Sequence, residues 1–409
     1  MNALYTGVDV SKRELVCQFM DQHGDTVRPV LAVENNHRGG TELVNTIKSL
    51  SQRLNTSVVH VGMEATSVYW YHADQLLREQ LSDLETRFYV LNPAVINGFK
   101  RSYTTMPKTD AVDAWVIADR LRFGRVEPSP APDMEYEVLK RITRFRFQLG
   151  GTLRREKQRA LDLVFLKFTN YHDEAPFGIF SKASMALLEH FSPGEIAETD
   201  VIELATFLAR HSNNRLGGDR TPEDLATDLR RAARNSYRLH PEMEDAVDVT
   251  LAMTFDNIRF AQRQLKKADA VIERQLAAIP QTLTTIPGMG PVLGAGIVAE
   301  VGDIRKYHGQ AALAKVAGLT WTRYQSGPFD AQETSLTRSG NKYLRYYLIE
   351  AANKVRMHTP EYRRYYQKKF AEVPKHQHKR ALVLTARKLL RLVFALLSNG
   401  QIYRHEGGR

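Results

Sequence analysis

Four acidic residues stand where a carboxylate is costly or well used. Asp9 lies inside the apolar run TGVDVSK, where an unpaired charge is expensive unless it meets a partner or a metal. Glu64 closes the run SVVHVGME, and Asp110 and Asp113 sit three apart in PKTDAVDAW, at a predicted helix start. Alone, that last pair is ordinary capping chemistry, because a carboxylate there accepts free N–H groups and meets the positive end of the helix dipole. Residues i and i+3 share a helix face, so both can also point inward. Together the four acids form a set suited to Mg2+ or Mn2+, hard ions that take carboxylate oxygens. Two such ions stabilise the attacking and leaving oxygens of a phosphoryl transfer.

Two further stretches carry weaker signals. IPGMGP, residues 286–291, resembles a helix-hairpin-helix turn, in which Gly288 and Gly290 would free backbone N–H groups to hold a phosphate. A tight turn between helices is the plainer reading. GLTWTRYQSGP, residues 318–328, places Ser326 before a glycine, with Arg323 and Tyr324 beside it. A Ser-Gly pair occurs in many turns, and the chain lacks the Gly-x-Ser-x-Gly elbow of a hydrolase triad. Arg323, Arg338 and Lys342 are candidates for contacting phosphate, as are Arg144, Arg154 and Arg155 on a basic helical stretch.

The elements that must position these groups follow from hydrophobic period. ALYTGVDV, ELVCQFMD and TVRPVLAVEN read as three strands joined by hairpins. A helix, the strand ending at Glu64, a second helix and the strand RFYVLNP follow, and AVDAWVIADRLRFG closes the series as a helix. The expected order, β-β-β-α-β-α-β and then helix, is a ribonuclease H-like mixed sheet, and EPSPAPD reads as an extended linker. The predicted class is α/β plus α. It has an N-terminal RuvC/ribonuclease H-like domain at 1–126, a linker at 127–133 and a helical, coiled-coil region at 134–280. A mostly helical C-terminal domain follows at 281–409. Long helices are expected at about 134–168, where Gly150-Gly151 is a candidate kink, and at 243–279. Shorter helices are expected between them, at about 170–240.

Composition narrows the partners. The 409 residues exceed one ordinary core. A single cysteine, Cys17, excludes an internal disulfide and a cysteine-based zinc site, which suits a reducing cytoplasm. No apolar run reaches the roughly 18 residues that span a membrane, and MNALYTGVDVSK has no signal-peptide pattern. The formal net charge is +11. Residues 341–409 carry 16 Lys/Arg against 4 Asp/Glu, whereas the other 340 residues carry 41 against 42. So uneven a block, interleaved with Tyr343, Tyr346, Tyr347, Tyr362, Tyr365 and Tyr366, favours a polyanion.

The motifs GVDVSK, GMEATSVYW, LNPAVINGFKRS, KTDAVDAWVIADRLR, IPGMGPVLGAGIVAEVGDI, AGLTWTRYQSG and RSGNKYLRYYLIEAA, in this order, resemble the DEDD-type transposases of the insertion-sequence one-hundred-ten family. That family includes the Piv invertase and the bridge-RNA-guided recombinases. The resemblance covers about 1–165 and 245–400. It implies a metal-binding tetrad at Asp9, Glu64, Asp110 and Asp113, and a C-terminal transposase domain whose nucleophile is Ser326. It also implies double-stranded donor and target DNA, a noncoding bridge RNA, and dimers paired into a tetramer. Residues 170–240 read as an insertion into the compact family pattern. Rival readings are a RuvC-like nuclease that hydrolyses DNA junctions without a serine, and a non-catalytic nucleic-acid-binding protein.

Overall fold

The structure is a computed structural model. It describes residues 2–103, 106–212, 220–322, 325–326, 329–330, 336–337 and 339–404. The chain divides into two compact units, 1–132 and 133–409.

The first unit contains β1 (Ala3–Val10), β2 (Glu14–Met20), β3 (Leu31–Glu34), α1 (His37–Arg53), β4 (Val58–Glu64), α2 (Trp70–Gln80), β5 (Thr86–Leu91), α3 (Pro93–Lys100) and α4 (Asp110–Phe123). The sheet order is β3-β2-β1-β4-β5. β2 runs antiparallel to β1 and β3, while β1, β4 and β5 run parallel. This is the ribonuclease H-like mixed sheet that the strand pattern predicts. The structure adds α3, which the predicted order lacks. Asn92 caps it by accepting from the Ala94 N–H, and Pro93 occupies its first turn, a position where a missing N–H costs nothing.

Strand alternation decides which side chains meet which helices. Leu4, Val8 and Val10 of β1 and Val59, Val61 and Met63 of β4 pack with Leu43 and Ile47 of α1 and Leu77 of α2. The residues between them face the other way, toward α4. There Tyr89, Leu91 and Ile96 pack with Val116, Ile117 and Leu121. Asp9 and Glu64 share parity with Gly7 and Gly62 and so belong to the α4 face. The two glycines admit the helix: a Cβ on Gly7 would stand 2.1 Å from the Ala114 carbonyl oxygen, and one on Gly62 would stand 2.7 Å from Leu121.

The second unit opens with α5 (Met134–Lys167), which is continuous through Gly150-Gly151. The smaller helices α6 (Tyr171–Glu174), α7 (Lys182–His190), α8 (Pro193–Glu198), α9 (Val201–Ser212) and α10 (Pro222–Asn235) follow, and α11 (Pro241–Ala277) returns. Arg146 pairs with Asp269 and Lys167 with Asp248, so α5 and α11 run antiparallel. The smaller helices build a core of their own, in which Phe168, Tyr171, Leu187, Leu204 and Leu229 meet Phe255 of α11. Then come α12 (Pro291–Val301), α13 (Gln310–Ala317), the short strands β6 (Gln325–Ser326) and β7 (Phe329–Asp330), α14 (Lys342–His358), α15 (Pro360–Ala371) and α16 (Gln377–Asn399). Gly296 lets α12 press against the buried Tyr347 ring of α14, which a Cβ would meet at 2.3 Å. Among the described residues, no helix is long and apolar enough to cross a membrane.

Candidate active site

The four acids gather at the C-terminal ends of β1 and β4. Asp9 is the second-last residue of β1 and Glu64 the last of β4. Thr109 is the N-cap of α4, its hydroxyl accepting from the Val112 N–H at 3.3 Å. Asp110 and Asp113 therefore fall in the first turn, where the helix dipole favours their charge.

Electrostatics ties the four together. Burial raises the Asp9 carboxyl from 3.8 to about 6, and the charges of Asp110, Asp113 and Glu64 push it the same way. The Glu64 carboxyl is also raised, first by burial and further by Asp113, while the Thr66 hydroxyl and Lys100 pull it down. Lys100, the last residue of α3, forms an ion pair with Asp113. Like charges held this close repel, and a hard dication offsets that repulsion. The donors are all carboxylate oxygens, which fits such an ion. As the side chains stand, no three His, Cys, Asp or Glu groups among the described residues converge closely enough to hold one.

Lys100 was not singled out from sequence. Its signal was the Asn92-Pro93 pair, a helix start that places a lysine one helix away from Asp113.

The other candidates are scattered through the second unit. Ser326 lies in β6, its backbone paired with Phe329 of β7. Arg323 and Arg338 lie outside the described residues. Gly288 has φ +89° and sits against the α14 backbone, where a Cβ would come within 2.9 Å of Lys354. Close packing accounts for it without a ligand. Gly290 is the N-cap of α12 and faces open space. Lys342 is exposed in the first turn of α14, 5.1 Å from the Tyr343 ring. Arg154 and Arg155 of α5 are exposed, and Arg155 bonds Thr152 at 3.0 Å.

Arg144 is engaged within the second unit. Its Nε and Nη2 donate to the two carboxylate oxygens of Glu300 at 2.7 and 2.8 Å. The Glu300 side chain is fully buried and also accepts from Asn341 Nδ2 at 2.6 Å. A buried carboxylate requires such a partner, so the guanidinium serves to join α5, α12 and the start of α14.

Residues 6–168 match a family model described as "Transposase", of the DEDD type. Residues 280–367 match a second, described as "Transposase IS116/IS110/IS902 family". This chain belongs to the IS110 family of transposases. It is a DNA transposase or recombinase by that membership, and DNA is its partner. The insertion element IS116 44.8 kDa protein of Streptomyces clavuligerus is 27% identical over 75% of this transposase and 75% of its own length. The insertion element IS900 42 kDa protein of Mycobacterium paratuberculosis is 24% identical over 98% of this chain and 97% of its own. The pilin gene-inverting protein of Moraxella lacunata is 22% identical over 97% and 96%. A Thermus thermophilus RuvC structure with Holliday junction substrate aligns at 12% identity and TM-score 0.25, covering 32% of this transposase and 99% of RuvC.

Proposed function

We propose that this transposase moves its own insertion element, cutting and rejoining DNA through Ser326 with help from a metal-binding acidic tetrad. The observation that carries the reading is the shared field of Asp9, Glu64, Asp110 and Asp113 at one end of the sheet. Asp9, Glu64, Asp110 and Asp113 would hold Mg2+ or Mn2+. Bound there, the ion supplies charge stabilisation to the phosphate and lowers the pKa of an oxygen nucleophile.

In the proposed chemistry the Ser326 oxygen attacks the scissile phosphorus. One P–O bond forms to the serine as the P–O bond to one DNA end breaks. The serine proton is lost and the departing oxygen gains one, so the step needs no external energy source. Attack by a new DNA hydroxyl on the phosphoserine reverses it and joins strands. Lys100, paired with Asp113, would hold that carboxylate in position until phosphate arrives. We further propose that a noncoding RNA encoded by the element chooses the DNA sites, and that the working form is a dimer or tetramer in the cytoplasm. Family membership and the basic tract from residue 341 onward support nucleic-acid partners.

The test is a Ser326→Ala protein incubated with donor and target duplexes. It should bind DNA and form no covalent protein–DNA adduct. An adduct that persists in this variant overturns the serine assignment, and free nicked ends independent of Ser326 favour a junction nuclease.

A further inference from the structure

On the face of the sheet opposite α4, helix α1 and the segment entering β3 border an open cleft of about 790 Å3. Arg38, Asn45, Ser49 and Arg53 lie along it, seven, four and four residues apart, which keeps them on one face of a helix. Arg28 joins them from the segment before β3, its Nη1 donating to Thr46 Oγ1 at 3.3 Å and its guanidinium 5.5 Å from the Phe19 ring. Arg53 Nη2 donates to the Val27 carbonyl at 2.8 Å. Two guanidinium groups are thus held in place. Arg38, Asn45 and Ser49 are exposed, and their side chains have no hydrogen-bond or ion-pair partner among the described residues. Glu42 is the one carboxylate in the lining, so the cleft keeps a positive balance.

Spacing identifies the ligand class. From Arg38 to Arg53 the helix rises about 22 Å, which no single phosphate can bridge. It is the length of about six nucleotides at 3.4 Å each. The neutral donors Asn45 and Ser49 lie between the cations Arg38 and Arg53, and both kinds of group contact phosphate oxygens in nucleic-acid complexes. The track also starts at the catalytic end of the sheet. Asn35, just before α1, donates to the carbonyls of Ser11 at 2.8 Å and Tyr69 at 3.2 Å. Those residues follow Asp9 and Glu64 in the chain.

We propose that this cleft binds the sugar–phosphate backbone of a nucleic-acid strand that extends beyond the acidic site. The proposal rests on the chain's action on DNA and not on the identity of the nucleophile. The test uses the full chain, a labelled duplex and a labelled RNA, with affinity followed by fluorescence anisotropy across a salt series. Arg38→Ala should weaken binding about fivefold at 0.1 M salt and lower the salt slope by about 0.7–0.9, regardless of base sequence. Arg38→Lys should restore the slope. Asn45→Ala with Ser49→Ala should lose affinity at an unchanged slope, since neutral donors release no counterions. A change confined to the duplex assigns the strand as DNA, and one confined to RNA assigns it as RNA. Unchanged affinity and slope on both ligands overturn the proposal. If wild type still forms its Ser326 adduct, that result rejects the cleft alone.

Discussion

At the scale of the residue, Asp9 shows how the site was assembled. Its carboxyl is raised from 3.8 to about 6 by burial and by three neighbouring carboxylates. Between those pH values the folded chain holds the proton more tightly than the unfolded chain does. Stability therefore falls as pH rises from about 4 to about 6, and the full penalty remains at pH 7. A rise from 3.8 to about 6 corresponds to about 3 kcal/mol, and partial solvent screening reduces that to about 1–2 kcal/mol. Asp9→Asn should accordingly raise the melting temperature in a chelator at pH 7, and the gain should shrink toward pH 4. Melts followed by circular dichroism at both pH values check this, and an equal effect at both would contradict it. The acids themselves were legible in the sequence because a charge inside an apolar strand is conspicuous. Lys100 was not, because its pairing with Asp113 depends on how α3 turns back onto α4. The partner of Arg144 was hidden for a related reason. Arg144 looked like one cation in a basic run, while its partner Glu300 lies 156 residues away.

At the scale of the element, the site depends on how closely α4 approaches the sheet. The charges of Asp110 and Asp113 act on Asp9 because α4 lies across β1 at Gly7, with no room for a Cβ. Gly7→Ala should cost about 1–3 kcal/mol through overpacking. Gly98→Ala in α3 is the control. Nothing lies within 4 Å of the added Cβ, and alanine favours a helix by about 0.5–1 kcal/mol. Chemical denaturation should place the two variants on opposite sides of wild type, and equal midpoints would contradict the packing account. The strands and their order were readable from hydrophobic period and turn residues. The need for glycine at residues 7 and 62 was not, since it arises from the close approach of a helix distant in sequence. The same applies to Gly288. It resembled a phosphate-binding turn, yet its place is set by the α14 backbone.

At the scale of the whole molecule, the candidate residues are divided between two compact units. The acids belong to 1–132, and β6 with Ser326 belongs to 133–409. The excess positive charge lies in the last helices, where it meets few acids: Glu361 pairs with Lys388, and Glu372 with Lys369 and Arg380. Exposed cations such as Lys354, Arg364, Lys368 and Arg391 remain to attract a polyanion. That asymmetry could be counted in the sequence, whereas the antiparallel pairing of α5 with α11 around a separate small core required coordinates. The central claim is that the four acids form one metal site. Titrating the full chain with Mn2+, followed by electron paramagnetic resonance, tests it most directly. The account predicts saturable binding in wild type that is lost in both Asp9→Asn and Glu64→Gln. Wild-type binding in those variants would contradict it.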